Sequence, residues 1–263
     1  MRRLLKRFGW LTAPLIFVAF LVGWKLYVEL LGVSRFILPP PDRVWIAFVE
    51  LIAGKTTGMH AGITLYETVL GFGFALVFGV AAGTVLGKVP WLERALMPFV
   101  VALQVIPKVA LVPLFILWFG FGPGSKVIVA AVLAFFPIFT NTLLGVKSVE
   151  RGHRDVMASL NAGRLSTFWM LELPSALPYV LAGMEVGIVL AVIGAVVGEY
   201  LGGSEGLGHL AVATLNAFQV DALFAVILLL TVMGFALWLL VVLLRRAVIP
   251  WHESVVYRAP NEA

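Results

Sequence analysis

The sequence contains no cysteine, so the chain has no disulfide, zinc-thiolate site or cysteine nucleophile. Charged residues are also scarce, at 13% of 263 residues, whereas a soluble domain carries about 25%. Apolar residues make up 61%, and the mean hydropathy is +1.03. Because this much apolar surface cannot be kept from water in a soluble domain, we predict an all-α polytopic membrane protein.

The motifs of catalytic and nucleotide-binding sites are missing as well. The stretch Gly83–Val89 comes close to a phosphate-binding loop, but it is one spacer residue short and lacks the final serine or threonine. Neither a HExxH nor a GxSxG pattern occurs, and the four histidines are far apart in sequence: His60, His153, His209 and His252. We therefore expect no catalytic residue, no metal site and no cofactor in this chain.

Six stretches are long and apolar enough to cross a membrane, for which a helix needs about 20 residues. Each is predicted to be helical, because lipid offers no hydrogen-bond partners to an open backbone. Four of them carry no charge, the third carries Lys108 alone and the fifth carries Glu185 alone. The predicted spans are Phe8–Trp24, Thr68–Gly87, Ala95–Gly120, Val127–Val146, Leu173–Gly198 and Ala222–Leu244.

Lysines and arginines are unevenly distributed between the two sides of the membrane. Thirteen of the nineteen fall on the side that holds both termini and the segments 88–94 and 147–172, and four fall on the other side. Cytoplasmic loops are enriched in these residues, so both termini are predicted to be cytoplasmic. A cleaved signal peptide is the alternative for the first span, but its apolar run is long and no small-x-small cleavage site follows.

Two segments between the spans are long. The external one, 32–62, holds Leu38-Pro39-Pro40-Pro41-Asp42 and then the amphipathic run Val44–Leu51, which predicts a short helix that starts at Pro41 and lies on the membrane surface. The cytoplasmic one, 147–172, predicts short helices against a partner or the membrane face. The expected organisation is a first helix with the external segment at 1–62, a five-helix core at 63–246 and a cytoplasmic tail at 247–263.

Glycines recur at every fourth residue of the second span, at Gly79, Gly83 and Gly87. Small residues at this spacing allow two helices in lipid to approach closely. We therefore predict that this face of the span packs against another helix and has no role in phosphate binding.

The cytoplasmic segment resembles the signature loop of bacterial ABC importer permeases. That signature has Glu-Ala-Ala, a glycine six residues after the glutamate, and a Leu-Pro thirteen residues after the glycine. Counting back from Leu173-Pro174 places Asp155 at the glutamate, Asn161 at the glycine and Met157 at the second alanine. Asparagine commonly replaces glycine in left-handed backbone. Gly163 offers an alternative register, but Asn161 preserves the spacing.

The resemblance covers roughly residues 38–252 and is to permeases for nitrate, sulfonates, taurine and related solutes. Its motifs are Leu38-Pro39-Pro40-Pro41 with Val44, Ile106-Pro107-Lys108-Val109-Ala110 with Pro113-Leu114 and Trp118-Phe119-Gly120, Phe135-Phe136-Pro137-Ile138 with Asn141-Thr142, Gly198-Glu199, Gly206-Leu207-Gly208, and Pro250-Trp251-His252. It implies a type I ABC importer permease fold in the bacterial inner membrane, with the solute crossing at the interface of a homodimer.

The resemblance also implies partners. They are ABC ATPase subunits that carry ATP and Mg²⁺, a periplasmic or lipid-anchored solute-binding protein, a second permease copy and membrane lipid, with no nucleic acid. This chain would be no enzyme, because hydrolysis would take place on the ATPase subunits. The residues implied to couple the two subunits are Asp155, Ala158, Ser159, Asn161, Ala162 and Gly163.

Polar residues inside the spans are costly and are therefore candidates for function. The candidates for the translocation pathway are Gln104, Lys108, Asn141, Glu185 and Glu199. Each has a structural alternative: Lys108 caps carbonyls freed by a proline or pairs with an acid such as Glu185, Asn141 bonds another helix, and Glu199 is structural or gating. Glu67, at the start of the second span, is expected to reach the interface by snorkelling.

Two other classes of membrane protein are alternatives. A secondary transporter or channel would favour inverted repeats with broken helices in both halves, and none is evident. A membrane enzyme would need clustered acids or histidines. The solute is expected to be of the nitrate, sulfonate or taurine type. The stretch Ala191–Tyr200 looks more like relatives that take up pyrimidine thiamine precursors, riboflavin or aromatic acids, and in such importers the binding protein sets most of the selectivity.

Overall fold

A computed structural model describes residues 9–250, and all regular structure in this range is helical, which confirms the predicted fold class. The basic residues at 2–7, Phe8 and the tail from Trp251 onward, with His252, lie outside the described residues. The helices are α1 (Gly9–Leu30), α2 (Pro41–Ala53), α3 (Thr57–Lys88), α4 (Pro90–Val105), α5 (Val112–Phe119), α6 (Pro123–Lys147), α7 (Arg151–Ser159), α8 (Arg164–Thr167), α9 (Leu173–Gly202), α10 (Leu207–Asn216) and α11 (Val220–Val248).

Within the described residues, four helices are long and apolar enough to cross a membrane, and a bent pair makes a fifth. The four are α3, α6, the continuous 39-residue helix Arg164–Gly202 and α11, and the pair is α4 with α5. These correspond to the second to sixth predicted spans, whereas the 22-residue α1 covers the first. The observed helices extend beyond the predicted apolar stretches, so α3 already begins at Thr57.

The third predicted span, Ala95–Gly120, is wrong as a continuous helix. Helix α4 ends at Val105, a 3₁₀ turn follows at Lys108–Leu111, and the two halves are bent by 82°. Ile106 has an extended backbone with ψ 127°. The cause is Pro107, because a proline lacks the N–H of the helical ladder and disfavours helical backbone at the residue before it.

The chain divides into two compact units, of which the first comprises residues up to Met59 and Leu210–Leu230. Its helix α2 follows the extended Pro40 and carries proline at its first position and Asp42 in its first turn, both favourable at a helix N-terminus. This confirms the predicted short helix that starts at Pro41. One face of α2 exposes large apolar side chains, namely Trp45, Ile46, Val49 and Ile52.

The second unit comprises His60–His209 and the chain from Thr231 onward. Helices α6 and α9 approach closely here because small residues face each other, and Ala130, Ala134, Ala191 and Ala195 are fully buried. The glycines of α3 pack against α6, as predicted. A Cβ atom added to Gly83 would lie only 2.8 Å from the carbonyl oxygen of Phe139 in α6.

Candidate functional site

The segment between α6 and α9 turns at a single left-handed residue. Asn161 has φ 53°, whereas Gly163 has φ −66° and extends the chain into α8. Hydrogen bonds close the end of α7, from Asn161 N to Ala158 O at 3.0 Å and from Ala162 N to Met157 O at 3.0 Å. The left-handed turn therefore lies at Asn161, in the register that the spacing to Leu173-Pro174 favours.

Most side chains at the tip of this segment are exposed. Leu160 and Leu165 are each 71% exposed, and Val156, Trp169 and Met170 are exposed too. Of the residues implied to couple the subunits, Ala162 is half-buried and the others are exposed, namely Asp155, Ala158, Ser159, Asn161 and Gly163. Contiguous exposed apolar side chains rimmed by charge mark surfaces that contact partners.

Ion pairs anchor the base of the segment to the ends of α3 and α4. Glu172 pairs with Lys88 at 2.6 Å and with Arg154 at 3.9 Å, and Lys147 pairs with Glu93 at 2.7 Å. The Lys88 ammonium also lies 4.7 Å from the centre of the ring of Phe168, which directly precedes Trp169. The base is thus held while the tip stays accessible.

Lys108 lies at the break in the third span. Its Nζ donates to the carbonyl oxygen of Gln104 at 3.1 Å and lies 4.6 Å from the centre of the Phe136 ring. Of the two structural alternatives for Lys108, this is the one in which it caps a free carbonyl oxygen. The other alternative, an ion pair with Glu185, is wrong. The side chain of Gln104 is exposed.

Glu185 lies in the second unit against α11. Its Oε1 is 2.9 Å from Nη1 of Arg245, and both side chains are mostly buried. Arg245 directly follows Leu244, the predicted end of the sixth span, and lies in the last turn of α11, which extends past that end. Asn141 Nδ2 donates to the carbonyl oxygen of Pro137 in its own helix at 2.9 Å, so its expected bond to another helix is not what it makes.

Glu199 lies in the last turn of α9 and takes part in a buried hydrogen-bond network. Its Oε1 accepts from the Thr64 hydroxyl at 2.6 Å and its Oε2 accepts from the Gly208 amide at 2.6 Å. The Thr64 oxygen in turn accepts the Leu207 amide at 2.8 Å. With 1% exposure, Glu199 joins α3 to the start of α10, which supports its structural alternative.

The burial of two charged residues at this network was missed from the sequence. Glu67 is 2% exposed, so the expectation that it snorkels to the interface is wrong, and Lys126, in the first turn of α6, is 3% exposed. Lys126 Nζ donates to the carbonyl oxygens of Phe121, Gly122 and Gly202. Each residue directly precedes a predicted apolar span, and a charge in that position is the signal that could have identified them.

His60 and His209 are far apart in sequence, but the structure brings them together. Both lie in helices, and their rings stack with centres 6.4 Å apart. The His60 Nδ1 accepts the Gly206 amide at 3.0 Å, which supports the left-handed Gly206 at φ 100°. Between residues 9 and 250 no group of three or more metal-ligating side chains comes together.

Comparison with known proteins agrees with the resemblance of the motifs. Residues 75–251 match the family described as "Binding-protein-dependent transport system inner membrane component". The riboflavin transport system permease protein RibX of Chloroflexus aurantiacus is 37% identical over 254 residues, which cover 96% of this chain and 95% of RibX.

Two further relatives carry other transport names. The formylaminopyrimidine transport permease protein ThiX of Halalkalibacterium halodurans is 33% identical, covering 93% of this chain and 97% of ThiX. The taurine transport system permease protein TauC of Escherichia coli is 30% identical, covering 89% and 87%. This chain therefore belongs to the family of binding-protein-dependent transport system inner membrane components, and it is a multi-pass ABC importer permease.

Proposed function

We propose that this permease couples solute movement to ATP hydrolysis on separate ATPase subunits through the segment 147–172. The observation that carries the proposal is the shape of this segment: an exposed apolar tip at Leu160, a left-handed turn at Asn161 and a base fixed by ion pairs at Glu172. A rigid base and an exposed tip transmit a push from a partner into the span that follows. ATP and Mg²⁺ would be bound by that partner.

The remaining parts of the assembly follow from the family and the charge pattern. We propose two permease copies and an external solute-binding protein, in a bacterial inner membrane, with both termini in the cytoplasm, where thirteen of nineteen lysines and arginines would lie. The secondary-transporter alternative is less well supported. It favours broken helices in both halves, whereas the described residues contain one bent pair, α4 with α5.

The proposed solute is a small organic compound. The relatives with the names quoted above are for riboflavin, formylaminopyrimidine and taurine, all organic. The charge of Glu185 is paired with Arg245, so Glu185 does not oppose the passage of an anion. Lys108 and Gln104, beside the break in the third span, remain the proposed pathway residues, and Asn141 and Glu199 are proposed to support the helices around it.

The coupling proposal is tested by co-expressing the chain with its ATPase subunit and measuring how much ATPase remains bound after purification in detergent. Leu160→Glu puts a charge where an apolar contact is expected, and Asn161→Val places a β-branched residue in left-handed backbone, which is strongly disfavoured. We expect each to lower ATPase retention at least tenfold, as for loss of an interface hot spot.

Asn161→Gly is the matched control, because glycine adopts φ near +53° without strain and removes only the side chain. It should retain ATPase as the unchanged chain does. Thermal stability of the isolated permease should stay the same in Leu160→Glu and Asn161→Gly, since the side chains of Leu160 and Asn161 are exposed, whereas Asn161→Val should lower it slightly through backbone strain. Equal ATPase retention in Leu160→Glu and the unchanged chain would contradict the proposal.

A further inference from the structure

Two buried carboxyl groups face each other where α3 packs against the end of α9. Glu67 is 2% exposed and Glu199 is 1% exposed, and their carboxyl groups lie within hydrogen-bond reach of each other. An ionised carboxylate only accepts hydrogen bonds, so two ionised groups cannot bond to each other. A hydrogen bond between these two therefore requires a proton on one of them.

The nearest cation does not take the place of this proton. The ammonium of Lys126 has three N–H groups, and the carbonyl oxygens of Phe121, Gly122 and Gly202 accept from it. With these three bonds made, no N–H remains for a carboxylate. Two carboxylates and one ammonium would also leave a net negative charge in a buried place, which is costly.

Glu199 is built into the site as an acceptor. Its Oε1 accepts from the Thr64 hydroxyl and its Oε2 accepts from the Gly208 amide. The turn before α10 closes around this carboxyl group, since a Cβ atom added to Gly208 would lie 2.9 Å from Oε2 and one added to Gly206 would meet the group as well. The sequence motifs Gly198-Glu199 and Gly206-Leu207-Gly208 thus meet at one carboxylate.

Glu67 is the member of the pair that lacks a donor. Its Oε2 is buried and receives no hydrogen bond from the part of the chain that the structure describes. Glu67 follows Thr64 by three residues on α3, so both side chains lie on the same face of the helix. A proton on Glu67 makes this carboxyl a donor to Glu199, which already accepts from two other groups.

The other titratable groups at this corner are His60, His209 and Glu205. The Nδ1 of His60 accepts the Gly206 amide, so this nitrogen carries no proton and the ring is neutral. His209 stacks on that ring, and Glu205 is exposed. His60 and Glu205 therefore supply no positive charge that would balance the buried pair.

We propose that Glu67 and Glu199 form a binding site for a single proton, which Glu67 holds and donates to Glu199, and which closes the contact of α3 with α9 and α10. Without the proton, two buried carboxylates would repel each other at hydrogen-bond distance. The proposed orientation places this end of α9 outside the cell, so the contact would respond to external acidity. The site does not depend on coupling to an ATPase.

The first test measures unfolding of the purified permease in SDS micelles over a series of pH values. Glu67→Gln keeps the size of the side chain, and its amide N–H donates to Glu199 without titrating. As the pH rises, the unfolding equilibrium constant of the unchanged protein should increase about tenfold more per pH unit than that of Glu67→Gln, because the folded chain holds one proton that the unfolded chain releases. Glu205→Gln is the matched control and should behave as the unchanged protein does.

The second test needs no variant that folds. Infrared spectra of the unchanged permease at neutral pH should contain the C=O stretch of a protonated carboxyl group, shifted in D₂O. This band should be lost in Glu67→Gln and kept in Glu205→Gln. Its absence from the unchanged protein would overturn the proposal.

Two further results would contradict the proposal. One is an equal pH dependence of unfolding in the unchanged protein and in Glu67→Gln, which would mean that Glu67 binds no proton in the folded state. The other is stabilisation of the unchanged protein, but not of Glu67→Gln, by sodium chloride relative to choline chloride. That result would assign the site to a metal cation.

Discussion

Replacing Thr64 by valine removes a hydroxyl that joins three elements of the second unit. The hydroxyl donates to Glu199 Oε1 at 2.6 Å and accepts the Leu207 amide at 2.8 Å, and Thr64 is fully buried. Valine has nearly the same shape, so packing is kept while both hydrogen bonds are lost. Thr64→Ser is the matched control, because serine keeps the hydroxyl and removes one methyl group.

The magnitude follows from what the substitution leaves behind. Two ordinary side-chain hydrogen bonds between membrane helices would contribute about 0.6 kcal/mol each, or roughly 1 kcal/mol together. In Thr64→Val, a Glu199 oxygen and the Leu207 amide each stay buried without this partner, and an unsatisfied buried group costs about 1–3 kcal/mol. We therefore expect a loss of about 2–6 kcal/mol in the free energy of unfolding.

The assay is reversible unfolding of the purified permease in mixed micelles by increasing fractions of SDS, followed by tryptophan fluorescence and helical circular dichroism. Thr64→Ser should lose much less than Thr64→Val. Two ordinary hydrogen bonds account for a loss of about 1 kcal/mol. A loss no larger than this in Thr64→Val would refute the reasoning, because it would mean that Glu199 and the Leu207 amide do not stay unsatisfied in the variant.

Two further stability predictions use the same unfolding assay. Gly71→Ala should lower the free energy of unfolding by about 1–3 kcal/mol, because the new Cβ atom would lie 2.8 Å from the backbone oxygen of Val127. Gly73→Ala is the control and should be neutral or stabilising, because a Cβ atom there would have nothing within 4 Å. Equal effects of the two substitutions would contradict the packing described. Glu185→Gln should lower the free energy of unfolding by about 1–3 kcal/mol, because it leaves the mostly buried Arg245 unpaired. The double variant Glu185→Arg, Arg245→Glu restores the pair and should recover part of this loss. An unchanged unfolding midpoint for Glu185→Gln would show that the pair contributes nothing to stability.

The apolar stretches and the glycine spacing were sufficient to predict the helices and one of their contacts. Lipid leaves the backbone few alternatives to a helix, so stretches such as Val127–Val146 predict helices directly. Gly79, Gly83 and Gly87 predicted a close contact because small residues at this spacing let two helices approach each other. The sequence could not predict that these glycines face α6, because their spacing does not indicate which helix packs against them.

Apolar continuity was a poor guide to helix continuity. Ala95–Gly120 was read as one span because it contains a single charge, although Pro107 already carried the physical reason for a break. The burial of Glu67 was missed for a related reason: its helix begins ten residues earlier, at Thr57, so Glu67 lies about three turns inside it.

The candidate site was predicted in part. The register that places the left-handed residue at Asn161 came from counting along the chain, and local backbone geometry is the kind of property that spacing determines. Ion-pair partners are a different case. Glu185 pairs with Arg245, sixty residues away, because α11 extends past its apolar stretch, and only the packing of α9 with α11 brings the two together.

The helix from Arg164 to Gly202 connects two structural features, so the number of residues between them is fixed. Its 39 residues span about 58 Å, from the exposed turn at one end to the buried carboxyl of Glu199 at the other. One inserted residue would rotate one end against the other by about 100° and take Glu199 away from Thr64. The π-helical stretch Phe168–Glu172 already accommodates a wider turn. Insertions and deletions in related sequences should therefore be absent between Leu173 and Glu199.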